Sequence, residues 1–341
     1  MNPEVTIIIP VYNVEPYLRQ CLDSVVNQTM REIQIICVND GSPDGSRAIL
    51  QEYANRDARI EIIDKPNGGL SSARNAAYPH IKGKYTLFVD SDDWIELDTC
   101  EKTFQKAEET GAPLIVFFIQ GEEGQKSLPS FQQFSSCDIT TVEEKIPYLR
   151  FGSVCDKLWR TDFLLGNQLY FPEGLVFEDN LVNWQAVTLA DKISVIPEPF
   201  YHYRCSSGSI TQTFGEHVMH IIPIFNKIHA YLLESGYYAA YRNTFISQKL
   251  NAWFYRYQCL PSSLKPKYVA MIRDSLTEDD RKFYRTALLK TTKLFYEMID
   301  GGLMEAVKYH GNGRIRSIAR MPERVIRRWI VKPLKKLLKA A

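Results

Sequence analysis

The chain has 341 residues, of which 45% are hydrophobic and 24% charged. This length and composition suit one large globular domain plus a smaller second one. The net charge of +1 hides an asymmetry: from Gly311 onward ten Lys/Arg face a single acid, Glu323, so a +9 tail follows a body of net −8. No apolar run nears the ~18 residues of a spanning helix, and the seven cysteines form no CxxC pair, which argues against a disulfide framework or zinc site and fits a reducing cytoplasm.

A strand is expected within a few residues of Met1, leaving no room for a signal peptide. Four runs in the first 90 residues read as strands: "VTIIIPV" (5–11), "IQIICV" (33–38), "IEIID" (60–64) and "YTLFVD" (85–90). Helical patterns lie between them, at roughly 15–27, 45–57 and 70–80. Strands alternating with helices predict βαβ units and a parallel sheet. The runs are apolar throughout, as strands covered on both faces are. "APLIVFFI" (112–119) adds a further strand, and 120–140 reads as a polar loop or insertion. A helix near 142–150 follows, then "CDKLWR", "LYFPEGLVFEDN", a helix near 180–190, and "ISVIPEPFYHYR". From about 215 to 310 the pattern is helical, with aromatics at helical spacing.

The polar residues cluster where strands stop. Asp40 ends "VND", and Asp90, Asp92 and Asp93 fall within four positions after the fourth strand. In open parallel sheets ligands bind beyond the carboxyl ends of the strands, so these aspartates are expected at one crevice. Three carboxylates so close repel one another unless solvent or a cation relieves them. One reading is a divalent metal held with a diphosphate. The other is a solvated turn in which Asp93 caps a helix after Trp94. "NGGLSSARN" (67–75) opens a helix through two glycines, and its N-terminus and Arg74 suit an anion; a plain turn with a surface arginine is the alternative. "HVMH" sets His217 and His220 one turn apart, with no third or fourth metal ligand visible.

Taken in order, "TIIIPVYNVEPYLRQCLDSVVNQT", "VNDGSPDGS", "NGGLSSARN" and "YTLFVDSDDW" resemble family 2 glycosyltransferases of the GT-A fold. The resemblance continues through "DKLWR", "FPEGLVFEDN" and "YHYRCSSGSIT". It implies a GT-A α/β domain over 1–212, with a Rossmann-like, mostly parallel sheet. Its nucleotide-binding half would span about 1–120 and its acceptor half about 121–212. A helical appendage (213–312) and a basic amphipathic tail (313–341) would follow. Pro10 and Tyr12 would line the nucleotide pocket, Asp40 would accept the base N–H, and Asn67 and Arg74 would border the ribose and diphosphate. Asp90 and Asp92 would hold Mn²⁺ or Mg²⁺, with Ser91 and Asp93 supporting the donor. Lys157, Arg204 and Ser209 would neutralise or close over the diphosphate. In "FEDN", Glu178 and Asp179 form the acidic pair, and Asp179 would be the catalytic base; an N-cap role for Asp179 is the bland alternative.

The implied activity is inverting transfer from a nucleotide-diphosphate sugar, a UDP-sugar foremost, to a glycan or lipid-linked acceptor in surface-polysaccharide synthesis. A nucleotidyltransferase would carry a basic glycine-rich N-terminal signature, unlike "VYNVEPYLRQC". An inactive sugar-nucleotide-binding protein would not need both "DSDD" and "ED". The tail sets Ile318, Trp329, Leu334 and Leu338 among basic positions, the pattern of a helix at an anionic membrane interface, although Pro322 and Pro333 would kink it. A packed terminal helix is its other reading. Peripheral placement at the inner face of the cell membrane is expected, and nucleic acid is not an expected partner, since the body is acidic and lacks a recognition motif.

Overall fold

A computed structural model describes residues 2–121, 137–149, 152–204, 214–286 and 290–300. The chain divides into two compact units, Met1–Ser209 and Ile210–Ala341.

The first unit begins with β1 (Val5–Val11), α1 (Glu15–Val26), β2 (Ile33–Asn39), α2 (Ser46–Ala54), β3 (Ile60–Asp64), α3 (Leu70–Ala77) and β4 (Tyr85–Phe88). Then come β5 (Trp94–Ile95), α4 (Thr99–Thr110), β6 (Leu114–Gly121), β7 (Cys137–Ile139), α5 (Val142–Lys145), β8 (Lys157–Arg160), α6 (Thr161–Gly166), α7 (Glu178–Leu189) and β9 (Ile193–Tyr203). The strands form one sheet in the order β3-β2-β1-β4-β8-β6-β9-β5, with β7 paired to β9.

The run β3-β2-β1-β4 is parallel, and every residue of β1 and β2 is buried. This is why their side chains are apolar at consecutive rather than alternate positions. The other half is mixed. β8 lies antiparallel between β4 and β6, while β9 runs parallel to β6. β9 pairs with β7 near its start and with β5 near its end. Pro197 and Pro199 lie in β9, and the β6–β9 register shifts around Phe118, which faces Pro199. A proline has no N–H to give the ladder.

One element, α4, lies outside the expected ones, and one expectation fails. α4 carries no apolar stripe because its buried positions are Thr99, Cys100, Thr103 and Ala107. The short strand β5 begins at Trp94, so Asp93 caps no helix there.

The second unit is helical: α8 (Ile221–Glu234), α9 (Tyr238–Cys259), α10 (Lys265–Ser275), α11 (Glu278–Thr286) and α12 (Lys290–Asp300). A buried ion pair, Lys249 Nζ to Asp280 Oδ2 at 2.6 Å, ties α9 to α11. His217 and His220 lie on a short 3₁₀ turn, Glu216–His220. Among the described residues no group of three or more His, Cys, Asp or Glu is placed to hold a metal, and no helix is long and apolar enough to cross a membrane. Ser209 and the 313–341 tail lie outside the described residues.

Candidate active site

Parallel neighbours end on the same edge of a sheet, so the loops after β1, β2, β3 and β4 meet there. After β1 comes Tyr12, 49% exposed, while Pro10 is buried within the strand. An aromatic ring left open at a strand end is a surface on which a planar base can stack.

After β2, Asp40 is buried and pins the glycine loop. Its Oδ1 accepts from Gly68 N at 2.9 Å and Lys65 Nζ at 2.5 Å, and its Oδ2 from Gly69 N at 2.8 Å. A carboxylate has about four lone-pair sites, so three donors leave one. Gly69, just before α3, has φ +85°, open to glycine and costly for other residues. At Gly41 (φ +69°) a Cβ would lie 2.9 Å from Asn67 N, so these two loops meet only because that position is glycine. Asn67 itself is exposed on the loop.

α3 then does two things. Ser71 Oγ donates to Pro172 O (2.9 Å), Asn75 exchanges two hydrogen bonds with the Phe171 backbone, and Tyr78 Oη donates to Leu169 O (2.8 Å). The helix thus grips the segment that leads into α7. Arg74, 3% exposed, gives Nη1 to Glu178 Oε1 at 2.8 Å and Nη2 to Asp90 Oδ1 at 2.7 Å, over the Phe171 ring. Two carboxylates 88 positions apart in sequence are bound by one guanidinium, whose planar fork suits such a bridge.

α7 starts at Glu178, and its N-cap is Phe177, which makes no side-chain cap. Asp179 is therefore the second helical residue, and the N-cap reading of it fails. Phe177 has φ +71°, an unfavourable conformation for a bulky residue and one that collects at functional sites. Asn180 Nδ2 donates to Asp179 Oδ1 at 3.1 Å. Burial and then the Glu178 charge raise the Asp179 carboxyl above the usual range, against the Arg74 charge.

The aspartate turn after β4 is held from behind. Tyr201 Oη donates to Asp93 Oδ2 (2.6 Å), and Arg204 N donates to Asp93 Oδ1 (2.7 Å). Both Asp93 oxygens are thereby engaged, and burial with the Asp90 and Asp92 charges pushes its carboxyl up to about 8. Burial and Asp90 push Asp92 up to about 6. Ser91 is buried within the turn.

The glycosyl transferase family 2 model matches residues 6–167. The putative glycosyltransferase EpsH of Bacillus subtilis is 35% identical over 257 residues, which are 72% of this chain and 74% of EpsH. The chain belongs to glycosyl transferase family 2. Glycosyltransferase GlyA of Streptococcus pneumoniae is 34% identical over 65% of this chain, which spans only 33% of GlyA. The poly(ribitol-phosphate) beta-N-acetylglucosaminyltransferase TarS of Staphylococcus aureus is 27% identical over 73% of this chain and 44% of its own length. A TarS crystal structure superposes with a TM-score of 0.73 at 21% identity, covering 89% of this chain and 53% of TarS. A second, in complex with UDP-GlcNAc, has a TM-score of 0.62 at 24% identity over 86% of this chain and 92% of that one. The fold is GT-A.

Within this family 2 chain the expected residues part into two groups. Tyr12, Asp40, Asn67, Arg74, Asp90, Ser91, Asp92, Asp93, Glu178 and Asp179 lie on the loops and helix starts just described. Arg74, expected to border the ribose and diphosphate, is instead committed to Glu178 and Asp90, and two further cations expected at the diphosphate are also committed elsewhere. Lys157 is 1% exposed, and its ammonium goes to Asp156 Oδ1 (2.5 Å) and Ser153 O (2.7 Å). A charge with no water access needs such a partner, which corrects the expectation for Lys157. Arg204 gives Nε to Asp92 O (2.9 Å) and Nη2 to Gln20 Oε1, and its guanidinium lies over Tyr17 and Trp94. It fastens the end of β9 to the turn and to α1. Reading the sequence missed Lys65, Ser71, Asn75 and Tyr201; Ser71 and Asn75 bind the backbone at 171–172, Lys65 the Asp40 carboxylate, and Tyr201 the Asp93 carboxylate and Asp90 amide, contacts across the chain that residue type alone does not signal.

Proposed function

We propose that this protein transfers a sugar, with inversion, from a nucleotide-diphosphate sugar to a hydroxyl of a glycan or lipid-linked acceptor in surface-polysaccharide synthesis. A UDP-sugar is the favoured donor. The observation carrying the reading is the Arg74 bridge, which sets the aspartate turn and the Glu178–Asp179 pair at one crevice. Tyr12 and the glycine loop fit a nucleoside, and the TarS complex with UDP-GlcNAc supports uridine. TarS by its name acts on poly(ribitol-phosphate), which favours a polyol- or sugar-phosphate polymer among acceptors.

Asp179 would take the proton of the acceptor hydroxyl as that oxygen attacks the anomeric carbon. A base with a raised pKa is matched to work near neutral pH. Glu178, fixed by Arg74, orients the start of α7. The donor set fits a hard divalent cation, Mn²⁺ or Mg²⁺: Asp90 has a carboxylate oxygen beyond the Arg74 bond, Asp92 adds its own, and Asp93 is already engaged. Two carboxylates leave positions for diphosphate oxygens and water, and such an ion would neutralise the leaving diphosphate.

Incubation with a panel of nucleotide sugars, with and without Mn²⁺, tests the reading. Release of nucleoside diphosphate from one donor, dependent on the metal, is expected. Release of pyrophosphate from a nucleoside triphosphate would instead mark a nucleotidyltransferase, and binding without turnover an inactive relative.

The basic tail supports peripheral attachment at the cytoplasmic face of an anionic membrane. Each basic residue near such a surface contributes on the order of 1 kcal/mol. Full-length protein should sediment with anionic vesicles at low salt and less at high salt. Deletion of 313–341 should release it while donor hydrolysis persists. Full-length protein left in the supernatant at low salt would refute the attachment.

A further inference from the structure

We infer that Tyr201 is a positioning residue for the cation-binding turn, an inference that rests on the reading of Asp90 and Asp92 as the metal pair. Tyr201 lies on β9, opposite Ile95 of β5 and Ile119 of β6, and is 1% exposed. Its hydroxyl uses both of its capacities on the turn. It donates to Asp93 Oδ2 at 2.6 Å and accepts the Asp90 N–H at 3.2 Å. The Asp90 amide is beyond the β4 ladder, whose last cross-strand bond in this direction is Val89 N to Ile8 O. Tyr201 therefore replaces the strand partner that the chain loses as it turns. Asp93 N closes the turn on Asp90 O at 3.1 Å.

The chemistry of the group matters as much as its place. Three carboxylates within four residues repel, and the turn keeps its shape while Asp93 is held by Tyr201 and the Arg204 amide. A lysine or arginine at this position would withdraw Asp93 but would also cancel the negative field. A phenol holds Asp93 through a neutral O–H. It adds no positive charge at the turn beyond that of Arg74, already on Asp90, and Arg204, on the Asp92 carbonyl.

Tyr201→Phe keeps the ring and its packing and leaves the Asp93 oxygen and the Asp90 amide without this partner. Mn²⁺ binding in the presence of UDP, followed by electron paramagnetic resonance, should weaken at least tenfold. In turnover, the Mn²⁺ concentration for half activation should rise similarly, while kcat at saturating Mn²⁺ stays within about threefold. Unchanged Mn²⁺ affinity in a folded Tyr201→Phe protein, with only a lower melting temperature, would reduce Tyr201 to packing and overturn the inference. Asp93→Ala approaches the same contact from the other side and covers a Tyr201→Phe protein that does not fold. It should weaken Mn²⁺ binding comparably, and where both variants fold, the double variant should be no weaker than the worse single one. Full multiplication of the two losses would overturn it. Wild-type protein that binds UDP but no Mn²⁺ would overturn the metal reading itself, a result visible without any variant.

Discussion

Asp179→Asn should lower transfer by about 10³-fold while changing donor affinity less than about threefold, since a positioned general base is worth roughly 10²–10⁴. Asparagine keeps the shape of the side chain and an oxygen for the Asn180 amide, which lies 3.1 Å from the present Oδ1. What it cannot do is accept the acceptor's proton. The pH profile gives a second check. In the wild type, burial and Glu178 raise the Asp179 carboxyl, so the base loses its proton late and kcat rises as pH climbs through that raised value. In Asp179→Asn this ascending limb should flatten. Donor affinity measured by calorimetry separates chemistry from structure. Loss of affinity in step with activity, or turnover within tenfold of wild type, would remove Asp179 from the role of base.

The fold's first half is legible because burial on both faces writes itself into composition. β1 and β2 are buried at every position and apolar at nearly all of them. The strand ends then announce the crevice through Asp40 and the aspartate turn. Legibility fails where burial uses other residue types. α4 buries threonine, cysteine and alanine, and β5 is two residues long, too short for any periodic signal. It also fails for cations. Lys157 and Arg204 look available for a diphosphate, yet a buried ammonium is bound to its neighbour Asp156 and the guanidinium is stacked on aromatics. A charge type in a sequence does not disclose which charge answers it. Arg74 is the opposite case: its motif points to an anion, and the anions it meets are the protein's own.

That bridge carries the largest expected loss of both stability and activity. Arg74→Ala leaves Glu178, whose side chain is 7% exposed, without its counter-ion, and frees Asp90 from the same guanidinium. Removing one partner of a buried pair costs roughly 3–5 kcal/mol, because the other charge remains buried and unpaired. Loss of the stack on Phe171 adds to this. Transfer should fall by more than about 10²-fold, since small misplacements of reacting groups can cost that much. Arg74→Lys should be intermediate: an ammonium is a point charge and cannot span two carboxylates as a fork does. The double variant Arg74→Ala/Glu178→Gln separates the two losses. With no buried carboxylate left to answer, it should recover much of the urea midpoint lost by Arg74→Ala. Its transfer rate should stay low, because the Arg74 bridge between the start of α7 and the aspartate turn is gone. An Arg74→Ala protein that unfolds at the wild-type urea concentration and turns over within tenfold of wild type would show that the two halves of the crevice are aligned without the bridge.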